Sequence, residues 1–147
     1  MQTLFRIPVV IVLLVLVAPL TLRAADDDET PLGEQMEKMK TEMKALRSAL
    51  EAPAESARNK YVKMAESFHA AAEAAKKFEP EKTKTLPEAE RAQFVADYHK
   101  AMDKLIKLSG DLKKDLAAGQ WDEARKHLKA LSQAQKAGHK EFRIHKD

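Results

Sequence analysis

Residues 30–53 read TPLGEQMEKMKTEMKALRSALEAP, and the spacing within them decides the fold. Thr30 before Pro31 is a helix start, a hydroxyl able to cap the first free N–H groups followed by a ring already set at helical φ. Apolar residues then fall at Leu32, Met36, Met39, Met43, Leu46 and Leu50, alternately four and three apart, which is one stripe of an α-helix. Pro53 ends the stripe, because proline cannot donate to the helix ladder.

The same reading carries through the chain. A second helix is expected from about Ala54 to Phe78, with the stripe Ala57, Tyr61, Met64, Phe68, Ala71, Ala75 and Phe78. Pro80 stops it, and EPEKTKTLP is a polar connection whose only apolar side chain besides its prolines is Leu86. Pro87 opens a third helix, with Glu88 and Glu90 in the first turn where the macrodipole favours acids. Its stripe is Phe94, Tyr98, Ala101, Leu105, Leu108 and Leu112, flanked by Met102 and Leu116. Gly119 is a helix stop. A fourth helix runs from near Gln120 to about His145, with Trp121, Ala124, Leu128, Leu131, Gln135, Gly138, His139 and Phe142 on one face. Four amphipathic helices with short connections predict an all-α fold, an antiparallel up-down-up-down four-helix bundle.

Composition supports that class. In residues 25–147, Leu, Ile, Val and Phe number 18 and Ala numbers 22. That is a thin supply for β-structure, which needs β-branched residues, and a good one for closely packed helices. With no cysteine in the sequence, disulfides, thiolate metal sites, cysteine nucleophiles and covalent haem attachment are all excluded.

The N-terminal segment, MQTLFRIPVVIVLLVLVAPLTLRA, has a basic residue at Arg6, an uncharged apolar run from Ile7 to Leu20, and small residues at Ala24 and Ala25. This is a secretory signal pattern over residues 1–24. The run is shorter than the ~20 residues of a spanning helix, so the expectation is cleavage, a periplasmic location and no stable membrane insertion, with an uncleaved anchor as the alternative. Arg6 and Arg23 would leave with the signal, so the 26 basic residues of the whole sequence fall to 24, against 23 acidic ones. That near-neutral balance predicts no nucleic-acid partner.

Two polar residues, Gln135 and His139, interrupt the apolar face of the fourth helix. At ~100° per residue, His139 falls in the middle of that face, His127 and His145 at its edge, and His69 and His99 lean outward from theirs. The bland reading of His139 is a satisfied core histidine, and of the methionine stripe, adaptable core packing. Depth adds to this. Met36 lies ~7.5 Å in from Pro31 and His139 ~9 Å back from His145. Antiparallel neighbours would bring both to one end of the bundle at similar depth. A thioether opposite an imidazole is an axial pair for haem iron.

At this point the sequence resembles the soluble cytochrome b562 family. The resemblance rests on LGEQMEKMKTEMKAL (32–46), on DYHKAMDKL through AAGQWDEA (97–124) and on QAQKAGHKEFR (133–143), in that order. It covers essentially the whole mature chain. It implies one non-covalent b-type haem held between Met36 and His139. Met39 and Met43 would line the haem from the first helix, Tyr98 and Met102 from the third, and Gln135 and Arg143 where the fourth approaches its edge. The related cytochromes c′ attach haem through Cys-x-x-Cys-His; here QKAGH has Gln135 and Gly138 in place of the cysteines. The expected function is an exported electron carrier, not an enzyme. It would be a monomer serving an unidentified redox protein partner. The alternative is a haem-free periplasmic adaptor or small chaperone-like bundle.

Overall fold

The structure is a computed structural model, which describes residues 30–144. The expected signal segment 1–24, its cleavage site and His145 lie outside these. Among the described residues there are four α-helices and no strand. They are α1 (Pro31–Ala49), α2 (Arg58–Ala75), α3 (Glu88–Ala118) and α4 (Trp121–Phe142). Single 3₁₀ segments precede α2 (Glu55–Ala57) and α3 (Glu81–Thr85).

The start of α1 is as its sequence dictates. Thr30 is the extended N-cap, Pro31 occupies the first turn, and the Thr30 hydroxyl accepts from the Gly33 N–H at 3.0 Å. Met39, Met43, Leu46 and Leu50 are buried. At the other end of the bundle, Gly119 closes α3 with φ +70°, and the Gln120 N–H returns to the Asp115 carbonyl at 2.9 Å. This left-handed cap favours glycine, because a positive φ is strained for any residue with a Cβ. The tight turn sends α4 back along α3.

Consecutive helices pack along their lengths, α1 on α2, α2 on α3 and α3 on α4, whereas α1 and α4 approach each other at few places. The core of α2 is built from Ala65, Ala71, Ala72 and Ala75 around Phe68 and Tyr61, all buried. Alanine there lets the backbones come close and leaves the large side chains of α1 and α3 to fill the interior.

Three sequence expectations are corrected. The second helix ends at Ala75, not at Phe78; the N–H groups of Lys77 and Phe78 bond three residues back, to Ala74 and Ala75. The tightened turn rotates Phe78 off the core stripe, and it is exposed. On α3 the fully buried row is Tyr98, Met102, Leu105, Ser109, Leu112 and Leu116. Ser109 therefore takes the seat expected for Leu108, which is half-buried. The serine is tolerated because its hydroxyl donates to the Ile106 carbonyl at 2.8 Å. It also lies 2.8 Å from Nδ1 of His69. With the hydroxyl proton committed to Ile106, Nδ1 is the donor of that second bond. His69 thus turns inward to the α2/α3 seam rather than outward.

Candidate functional site

The α1 start, the α4 end and the segment joining α2 to α3 meet at one end of the bundle and enclose a cavity of about 370 Å³. This is within the ~300–1,000 Å³ range of small-molecule and cofactor sites. Every residue singled out from the sequence lines it: Met36, Met39 and Met43 from α1, Tyr98 and Met102 from α3, and Gln135, His139 and Arg143 from α4 or its end. The 4–3 spacing puts the three methionines on one face of α1, and the same spacing puts Gln135 and His139 on one face of α4.

The wall is apolar and firm on the α3 side. Tyr98 is buried and its hydroxyl donates to the Ala75 carbonyl at 2.8 Å. Burial pushes its phenol well above the ordinary tyrosine range, so it stays neutral. Phe142 packs edge-on against both Phe94 and Tyr98, with centroids 5.3 and 5.5 Å away. The segment Glu81–Thr85 closes the end. The Lys82 ammonium donates to the Glu141 carbonyl at 2.5 Å and lies 5.8 Å from the Phe94 ring centre. Arg91 holds that segment through the Leu86 and Lys84 carbonyls.

His139 is half-buried, and its pKa lies below the ordinary histidine value. Burial is the main cause, and the cations Arg143 and Lys40 add to it. The imidazole is therefore neutral at pH 7 and keeps a nitrogen lone pair for a Lewis acid. Met36, also half-buried, offers a soft thioether from the facing helix. Among the described residues no three His, Asp or Glu side chains cluster to hold a bare metal ion. Two donors are too few for a structural zinc. They suit an iron whose remaining four positions are filled by a porphyrin. The donor set and the apolar walls thus fit a haem group.

Phe142, Lys40 and the Pro80–Lys82 stretch also line the cavity and are not among the residues expected there. Two had a signal in spacing: Lys40 is one turn beyond Met36, and Phe142 is three residues beyond His139. The Pro80–Lys82 stretch had none, since its place depends on how the α2–α3 connection folds back. No described helix is long and apolar enough to cross a membrane.

A family model described as cytochrome b562 matches residues 31–143, from the first residue of α1 to the residue after α4. That family is one of haem-binding electron-transfer proteins. No individual curated protein and no solved structure matches the chain.

Proposed function

We propose that this chain, which belongs to the cytochrome b562 family, holds one non-covalent b-type haem with Met36 and His139 as its axial ligands. We propose further that it works as an exported, periplasmic carrier of single electrons. The observation that carries this reading is the convergence of Met36 from α1 and His139 from α4 on one apolar cavity.

When bound, the haem supplies a one-electron ferric/ferrous couple. The protein's own groups do the rest. His139 binds as the neutral imidazole that its surroundings favour. Met36 supplies a thioether, which favours the ferrous state relative to a second imidazole. Met36 and His139 would hold the iron from both helices and leave it no protein-free position for oxygen or peroxide, which suits outer-sphere transfer rather than turnover of a substrate. Met39, Met43 and Met102 fit their unbranched side chains to a flat ligand and keep water out. Tyr98, tied to Ala75, holds the far wall. Arg143 and Lys40 stand beside His139, where they would offset the negative charge of the haem carboxylates. Residues 1–24 direct export, and the mature chain is a monomer meeting a separate redox protein.

Titration of the mature chain with haemin tests the reading. The expected result is a sharp Soret band with low-spin α and β bands, at one haem per chain. His139→Ala is expected to abolish the low-spin spectrum, and Met36→Ala to leave a weaker, higher-spin complex. No Soret shift at micromolar haemin would overturn the proposal in favour of a haem-free adaptor, and an unchanged Met36→Ala spectrum would refute that residue's role.

A further inference from the structure

The charges of the chain are balanced along the sequence, with 26 basic and 23 acidic residues, but they are not spread evenly over the folded surface. Next to the cavity, a second groove runs between the C-terminal half of α1 and the middle of α4. Its volume is about 570 Å³, and its floor is Leu50 and Leu128. Of its eight lining residues four are basic, Arg47, Arg125, Lys129 and Lys136, and one is acidic, Glu51.

Two of these cations are held in place across the seam. Arg47 donates to the Ser132 hydroxyl at 3.2 Å, and Arg125 donates through Nε to the Leu50 carbonyl at 2.8 Å. The bonds fix the guanidinium groups, while Arg47 gains no anionic partner from them. Arg125 alone has a carboxylate, that of Asp122 at 2.7 Å. Lys129 and Lys136 form no ion pair with any described residue. The groove is therefore a part-ordered array of cations, not a neutralised network.

Its position matters as much as its sign. Lys136 follows Gln135 directly and precedes His139 by three residues, ~4.5 Å along the helix axis. Arg47 is one turn beyond Met43. Groove and cavity both draw lining residues from α1 and α4, the neighbouring helices that are least closely packed. We propose that this face is the docking surface for a redox protein that presents carboxylates, which would seat them on Arg47, Lys129 and Lys136 and bring its own centre to the cavity mouth. The proposal rests on the electron-carrier reading above. The physical logic is steering: a local patch of one sign raises the encounter rate even when net charge is small, and salt removes the gain.

Stopped-flow oxidation of the reduced holoprotein tests this with two small probes, hexacyanoferrate(III) as the anionic oxidant and tris(phenanthroline)cobalt(III) as the cationic one. Between about 0.01 M and about 1 M ionic strength the Debye length falls from ~30 to ~3 Å. The rate with the anionic probe is expected to fall about tenfold over that range, and the rate with the cationic probe to stay level or rise. The double variant Lys129→Glu/Lys136→Glu is expected to reverse that order while keeping the Soret spectrum. Equal salt dependence for the two probes, or a variant indistinguishable from the parent, would overturn the docking face. A second measurement needs no haem. Amide shifts of the full chain titrated with a glutamate decapeptide are expected at Arg47, Arg125, Lys129 and Lys136. Shifts scattered elsewhere, or tighter binding of a single-stranded oligonucleotide, would overturn the acidic-protein assignment. A chain that fails the haemin titration but still maps the peptide to this groove would refute the cofactor reading and leave the surface assignment standing.

Discussion

The two ends of the bundle are filled by different chemistry. At the turn end, Leu50, Leu112, Leu116 and Ala124 are buried, and Trp121 packs edge-on against Tyr61 at 5.9 Å. Branched leucines have few rotamers and fit one arrangement, so this end is a closed core. At the cavity end, the interior is made of Met36, Met39, Met43 and Met102, with Tyr98 and Phe142 as rigid walls. Unbranched thioethers adapt to what lies between them. The difference teaches how a small bundle supports a site: one end carries the uniquely packed core, and the other is free to leave space.

Substitutions at positions of similar burial put this contrast at risk, the largest effect first. Leu116→Ala removes a side chain with no exposed surface from a core that cannot close around the gap. It is expected to cost about 3 kcal/mol in urea unfolding of the ligand-free chain. Met102→Ala removes a similar volume beside space that already exists, and a cost of about 2 kcal/mol, at the low end for such a truncation, is expected. Equal losses at the two positions would erase the distinction between the ends. The haemin affinity of the same Met102→Ala chain should nonetheless fall, whereas that of Leu116→Ala should change little at temperatures where it stays folded.

Gly119→Ala tests the turn end in another way. Its positive φ disfavours any side chain, and the expected cost is about 1 kcal/mol. The Arg58 tip, the nearest group to a new Cβ, is flexible enough to move aside. A loss below a few tenths of a kcal/mol would show that the left-handed cap is not what fixes the return of α4.

The smallest effect is a pH dependence confined to the cavity end. His139 has its pKa below the ordinary value near 6.5, so the unfolded chain binds its proton more readily than the folded one. The resulting stability is present above that ordinary value and is lost as pH falls through the folded value. The urea midpoint of the ligand-free chain is expected to drop modestly from neutral pH into the acid range. His139→Gln should flatten that drop, and an unchanged slope would assign it to other groups.

Much of this was legible in the residues themselves. Thr30-Pro31 and the alternation of four and three specify α1 by themselves, because capping and helical period act within a few residues. Gly119 was readable for the same reason. Met36, His139 and the six residues beside them were placed by spacing together with a family likeness, and the structure gathers all eight around one cavity. What was not legible depends on partners distant in sequence. Ser109 is polar, so period alone passed it over; its core seat rests on the Ile106 carbonyl and on His69 across the seam. Phe78 matched the stripe but lies beyond the turn that ends α2. The basic groove is invisible in any one helix, since Arg47 belongs to α1 and Lys129 to α4. Only their juxtaposition makes a patch.

The sparse seam between α1 and α4 also bears on how the chain assembles. Every other neighbouring pair of helices is a hairpin, closed by a short connection. This seam joins elements at opposite ends of the chain, and Thr30 and Ile144 both border the same cavity. Closing so long a loop costs the most chain entropy and returns the fewest contacts. That balance favours its forming last and opening first, and a ligand fastened to both helices would act as a clasp on the ring of four.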